Sequence, residues 1–113
     1  MLKKKHKILF EPMQIGSLKL KNRYSMAPMG TLGCVDGDGA YNQRGVEYYV
    51  ARARGGVGLI ITGVQMVENE LEQFPMPSLP CPTNHPTAYI RSAKEMTERV
   101  HAYGAKIFAQ LTA

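Results

Sequence analysis

The sequence predicts an α/β fold on parallel strands, the first part of a barrel or of an open parallel sheet, from three observations. Strand-like and helix-like segments alternate along the chain. The run Val57 to Thr62, VGLIIT, is continuously apolar between glycines, as suits a strand covered on both faces. An open dinucleotide-binding sheet would carry G-x-G-x-x-G between its first strand and first helix; Gly37-Asp38-Gly39 has only half of it, late in a long loop, and no P-loop is present. The balance favours a barrel.

In chain order, Met13 to Ile15 and Leu18 to Leu20 flank Gly16-Ser17, a hairpin signal. Tyr24 to Ala27 is a short apolar strand ended by Pro28. Glycines 30, 33, 37 and 39 with Asp36 and Asp38 make the segment to Tyr41 a loop. Asn42 then offers an N-cap to a first helix with Val46, Tyr49, Val50 and Ala53 on one face, stopped at Gly55-Gly56. After VGLIIT, a loop from Gln65 to Pro86 carries prolines 75, 77, 80, 82 and 86. Loops of this kind at strand C-terminal ends shape barrel active sites. A second helix starts near Pro86 or Thr87, presents Tyr89, Ile90, Ala93, Met96, Val100 and Tyr103 as its apolar face, and ends at Gly104. Lys106 to Leu111 is a last strand with one polar residue, Gln110, which needs a partner if it is buried.

Composition excludes several classes. The chain has 44% hydrophobic and 20% charged residues, and no apolar run near the ~18 residues of a membrane span. The basic start lacks a following apolar h-region, so export is not expected and a cytoplasmic location is. The net charge of +5 falls to +1 once Lys3, Lys4, Lys5 and Lys7 are set aside. Residues 1–8 therefore read as a basic disordered tail, with no second basic stripe and no aromatic interleaving to bind nucleic acid. Cys34 and Cys81 have no CxxC spacing and read as free thiols; His6, His85 and His101 share no ligand spacing.

The segment LFEPMQIGSLKLKNRYSMAPM, Leu9 to Met29, resembles the opening of the old yellow enzyme family of FMN-dependent ene-reductases, on Leu9-Phe10, Pro12, Ile15-Gly16, Leu20, Asn22-Arg23 and Ala27-Pro28-Met29. The stretches GTLGCVDGDGAYNQRGVEYYVARARGGVGLIITGVQMVENE, PMPSLPCPT, EMTERVHAYGAKIF and QLTA are similar to the 2-enoate reductase branch, near bile-acid-inducible flavoenzymes and 2,4-dienoyl-CoA reductases. Many other members follow the Gln-Leu pair with His; Thr112 agrees with this branch. The resemblance implies a (β/α)8 TIM barrel, of which residues 9–113 would be the N-terminal portion: hairpin, strand, helix, strand, helix, strand. A whole barrel needs roughly 250 residues, and the chain ends at Ala113 in an apolar strand, so a truncated, inactive fragment is expected.

The same resemblance implies a flavin site. Ala27, Pro28, Met29 and Gly30 would set backbone groups against the isoalloxazine edge. Gly63 would be the small residue beneath the ring, and Gln110 the amide that pairs with the flavin pyrimidine. Read alone, Ala-Pro-Met is only a strand end; the upstream hairpin gives it meaning. Members often carry Cys or Thr after the Pro-Met pair to tune the flavin; here Gly30 stands there, with Thr31 next. No catalytic residue is assigned within the chain. The implied reaction is NAD(P)H-driven reduction of the C=C bond of an α,β-unsaturated carboxylate or thioester through FMN. The resemblance also implies a 4Fe-4S cluster and FAD elsewhere in the whole protein, and leaves room for a homo-oligomer. Two other readings stay open: a tRNA-dihydrouridine-synthase-like flavin barrel, and a freestanding non-catalytic α/β module.

Overall fold

In the computed structural model, residues 2–67 and 78–112 are described. The order is α1 (Leu2–Lys5), a 3-10 turn (Lys7–Phe10), β1 (Met13–Ile15), β2 (Leu18–Leu20), β3 (Ser25–Met26), α2 (Gln43–Arg54), β4 (Leu59–Met66), α3 (Pro86–Ala102) and β5 (Lys106–Thr112). The expected alternation is present. At the start, Leu2–Lys5 is one helical turn where the sequence reads as a disordered tail. The 3-10 turn after it is tied down: Arg23 donates its backbone N–H to the Leu9 carbonyl at 3.0 Å, and the Phe10 ring meets Tyr24 edge-on at 5.5 Å.

β1 and β2 form the antiparallel hairpin, turning at Gly16 with φ of 57°, a conformation glycine takes without penalty. Asn22 fastens the hairpin's exit to the sheet, since its Nδ2 donates to the Gly56 carbonyl at 2.7 Å and its Oδ1 accepts the Tyr24 N–H at 3.1 Å. β3, β4 and β5 then make a parallel sheet in the order β3-β4-β5, with Met26 opposite Ile60 and Ile60 opposite Ile107. This register puts one face of all three strands toward the helices.

α2 forms where expected. The Asn42 side chain accepts the Gly45 N–H at 3.0 Å, satisfying a donor the first turn leaves unpaired. Val46, Tyr49, Val50 and Ala53 are all buried, joining Met26, Ile60, Met96, Val100 and Ala105 in one core. Helix α3 has Pro at its first turn, as expected, and buries Met96 and Val100. Lys21 closes its far end by donating from Nζ to the Tyr103 carbonyl at 2.6 Å.

Three expectations shift. β4 runs on to Met66, so the predicted loop begins later than Gln65, and its prolines 75 and 77 lie outside the described residues. On α3, Ile90 and Tyr103 were expected on the apolar face and are 62% and 43% exposed. Gln110 was expected in a buried strand, yet β5 is open to solvent from Phe108 onward. The argument that its polar side chain demands a buried partner therefore does not apply.

Candidate functional site

Three parallel strands end side by side, and the residues singled out from the sequence gather at those C-terminal ends, where α/β folds bind ligands. Ala27, Pro28, Met29 and Gly30 continue directly from β3 and are all exposed. Proline fixes the local φ in the middle of this segment. Among the described residues, no intrachain hydrogen bond engages the backbone of Met29 or Gly30. The two N–H groups and the Gly30 carbonyl are thus open to a ligand, while the Met29 carbonyl packs against Gly63. Gln110, exposed on β5, pairs with Val64 of β4, so its amide stands on the same sheet face as that residue.

At Gly63 the structure supplies a reason for a small residue that the sequence does not show: a Cβ there would run into the chain's own Met29 carbonyl group and would come to 3.2 Å from the Gly30 Cα. The absent side chain lets the β3 and β4 ends touch backbone to backbone. Gly63 also sits in a break in the ladder, because the pairing of β4 with β5 shifts register between Ile61 and Val64. Its N–H turns to the helix side and donates to the Tyr49 hydroxyl at 2.9 Å.

Behind the strand ends lies a polar layer that sequence reasoning missed. Thr62 and Gln65 are each 1% exposed and face α2 and α3. Gln65 donates from Nε2 to the Thr62 Oγ1 at 2.8 Å and accepts a short hydrogen bond from the Tyr89 hydroxyl. Thr62 Oγ1 also accepts the Gln110 backbone N–H at 3.3 Å, linking β5 to this layer. The buried Tyr41 hydroxyl has no hydrogen-bond partner among the described residues. The available signal was the pair of polar residues in an otherwise apolar strand, Thr62 and Gln65.

Burial pushes the hydroxyls of this layer toward the neutral form. Tyr41 is raised well above the usual tyrosine range, first by desolvation and then by its neighbour Tyr49. Tyr49 is raised by burial against the opposing pull of the Gly63 N–H and the nearby Thr31 hydroxyl. Tyr89 is raised by burial, opposed by Gln65. All three hold their protons at neutral pH, and Tyr49 and Tyr89 act as fixed hydrogen-bonding groups. Among the described residues no cluster of His, Cys, Asp or Glu is arranged to hold a metal, and Cys34 and Cys81 are free thiols. No described helix is long and apolar enough to cross a membrane.

Exposed backbone at Met29 and Gly30 and a side-chain amide two strands away at Gln110 suit a flat heteroaromatic ligand with polar edges. Sites of this kind lie at the strand ends of α/β barrels. Residues 8–113 match the NADH:flavin oxidoreductase / NADH oxidase family, and the chain belongs to that family. It is 57% identical over 112 residues to a cinnamate reductase of Clostridium sporogenes, covering 99% of this chain and 17% of that protein. An NADH oxidase of Thermoanaerobacter brockii is 43% identical over 105 residues, covering 91% and 15%. The solved old yellow enzyme homologue from Zymomonas mobilis superimposes with a TM-score of 0.72 at 33% identity, over 91% of this chain and 27% of that one. The chain thus spans less than a third of each of these relatives. It corresponds to part of an old yellow enzyme TIM barrel.

Proposed function

We propose that the full-length protein is an FMN-dependent, NAD(P)H-driven reductase of the C=C bond of α,β-unsaturated carboxylates or thioesters. The observation that carries this reading is the convergence of Ala27, Pro28, Met29 and Gly30, Gly63 and Gln110 at the C-terminal ends of three adjacent strands. The 57% identity to a cinnamate reductase supports the enoate acceptor. When bound, FMN supplies the hydride that goes to the β-carbon of the acceptor, with a proton going to the α-carbon.

The chain's own part is to bind and orient. Met29 and Gly30 present backbone N–H and C=O groups to the edge of the ring, and Pro28 keeps that turn rigid. Gln110 can donate and accept at once through its amide, which matches a pyrimidine edge. Gly63 permits the close strand approach that sets the position of Met29. The proposal extends to a 4Fe-4S cluster and FAD in the rest of the protein, a small enoate or enoyl thioester as partner rather than nucleic acid or membrane, a cytoplasmic location and a homo-oligomer.

The test is direct. Purified full-length protein should show the visible absorbance of a flavin, release FMN on denaturation and oxidise NADH only when cinnamate or another 2-enoate is added. A preparation without flavin absorbance would sink the reading.

A further inference from the structure

Tyr49 joins the two strand ends that form the site, although it lies on a helix behind them. Its side chain is 0% exposed, and its hydroxyl accepts the Gly63 N–H at 2.9 Å. That N–H is available because the β4–β5 ladder breaks between Ile61 and Val64. Gly63 in turn lies in backbone contact with the Met29 carbonyl and the Gly30 Cα. One buried phenol oxygen thus holds Gly63, the residue of β4 against which the turn after β3 packs.

We infer that Tyr49 is a positioning residue for the flavin site, its hydroxyl holding Gly63, and through Gly63 the Met29-Gly30 backbone, at the separation the cofactor edge requires. The inference rests on the flavin reading above. Tyr49 acts through Gly63. Tyr49→Phe keeps the buried ring and deletes only the oxygen, so the core stays filled while the brace is lost.

The experiment uses full-length protein reconstituted with FMN. Tyr49→Phe should raise the FMN dissociation constant roughly tenfold, the ratio that corresponds to about one net hydrogen bond, and should shift the absorption maxima of the bound flavin. Wild-type affinity and spectrum in Tyr49→Phe would overturn the inference while leaving the flavin reading intact. If that variant does not fold, unchanged FMN binding in Gly63→Ala, which displaces the same contact, overturns it equally. Wild-type protein that binds no FMN removes both.

Discussion

At the residue scale, the site turns on how little space Gly63 leaves. Adding one methyl group there drives it into the Met29 carbonyl, which is backbone and cannot rotate away. We expect Gly63→Ala to destabilise the full-length protein by about 1–3 kcal/mol, the usual range for overpacking, and to weaken FMN binding, as read by denaturant midpoint and flavin titration. A variant with wild-type midpoint and affinity would show that the two strand ends do not meet as described. Gln65 offers a second check at this scale. Gln65→Leu leaves the half-buried Tyr89 hydroxyl without its acceptor, which should cost about 1 kcal/mol; Tyr89→Phe in the same background should recover part of the loss. Sequence located Gly63 as a place that must be small, while the Met29 carbonyl against it was not legible, because close backbone contact between distant segments leaves no mark in either. Gln65 was missed for a different reason: the apolar run stops at Thr62, so Gln65 reads as the start of a loop, whereas β4 runs on to Met66 and buries it.

At the element scale, the helices were the most legible parts and their exposed rims the least. Asn42 was recognisable as a cap because its side chain serves local donors, and local chemistry is written in neighbouring residues. Asn42→Ala should lower stability by about 1 kcal/mol through loss of the Gly45 bond, together with the Nδ2 bond to the Gly33 carbonyl at 3.1 Å. The apolar face of α3 was drawn too wide. Ile90 follows Tyr89 by about 100° around the helix axis, which takes it off the stripe on which Met96 and Val100 meet α2. Tyr103 lies past the last helical residue and is exposed. The two helices are also joined by charge: Arg99 Nη1 lies 2.6 Å from Glu47 on α2 and 3.1 Å from Glu95 on its own helix. The hydrogen bond from Arg99 is the main reason the Glu47 carboxyl lies below its usual range. A carboxyl depressed in the folded state leaves the unfolded chain to take up its proton first. The stabilisation is therefore present above the ordinary carboxylate pKa and fades as pH falls through that value toward the folded one. Both groups are solvated, so the effect should be small and should shrink in salt. Urea midpoints of wild type and Glu47→Gln should converge on acidification from pH 7 to below 4 at low ionic strength, and should already lie close at high salt. A gap that widens on acidification would contradict the pairing.

At the scale of the whole molecule, the sheet has helices against one face and an outer strand with no neighbour among the described residues. The order of elements was readable because each is specified by a local pattern; how much of the sheet stays open was not, because that depends on what else pairs with it. The radius of gyration is 15.6 Å and the long extent 51 Å, whereas a compact chain of this length would have a radius near 13 Å. Apolar side chains stand uncovered on the outer strand: Phe108 is 47% and Leu111 59% exposed. An unpaired parallel edge bearing large apolar residues is a template for pairing with another chain. In the relatives, each of which is more than three times as long as the matched region, further chain is available to cover such an edge. Residues 1–113 expressed on their own should then associate as concentration rises, bind a hydrophobic dye and unfold without a sharp transition. Replacing Phe108 and Leu111 together by Lys should reduce the association, since charge on an edge strand opposes further pairing. A monomer that unfolds cooperatively and ignores the dye would mean that α2, α3 and the three strands form a self-sufficient unit, and that β5 is stable as an edge.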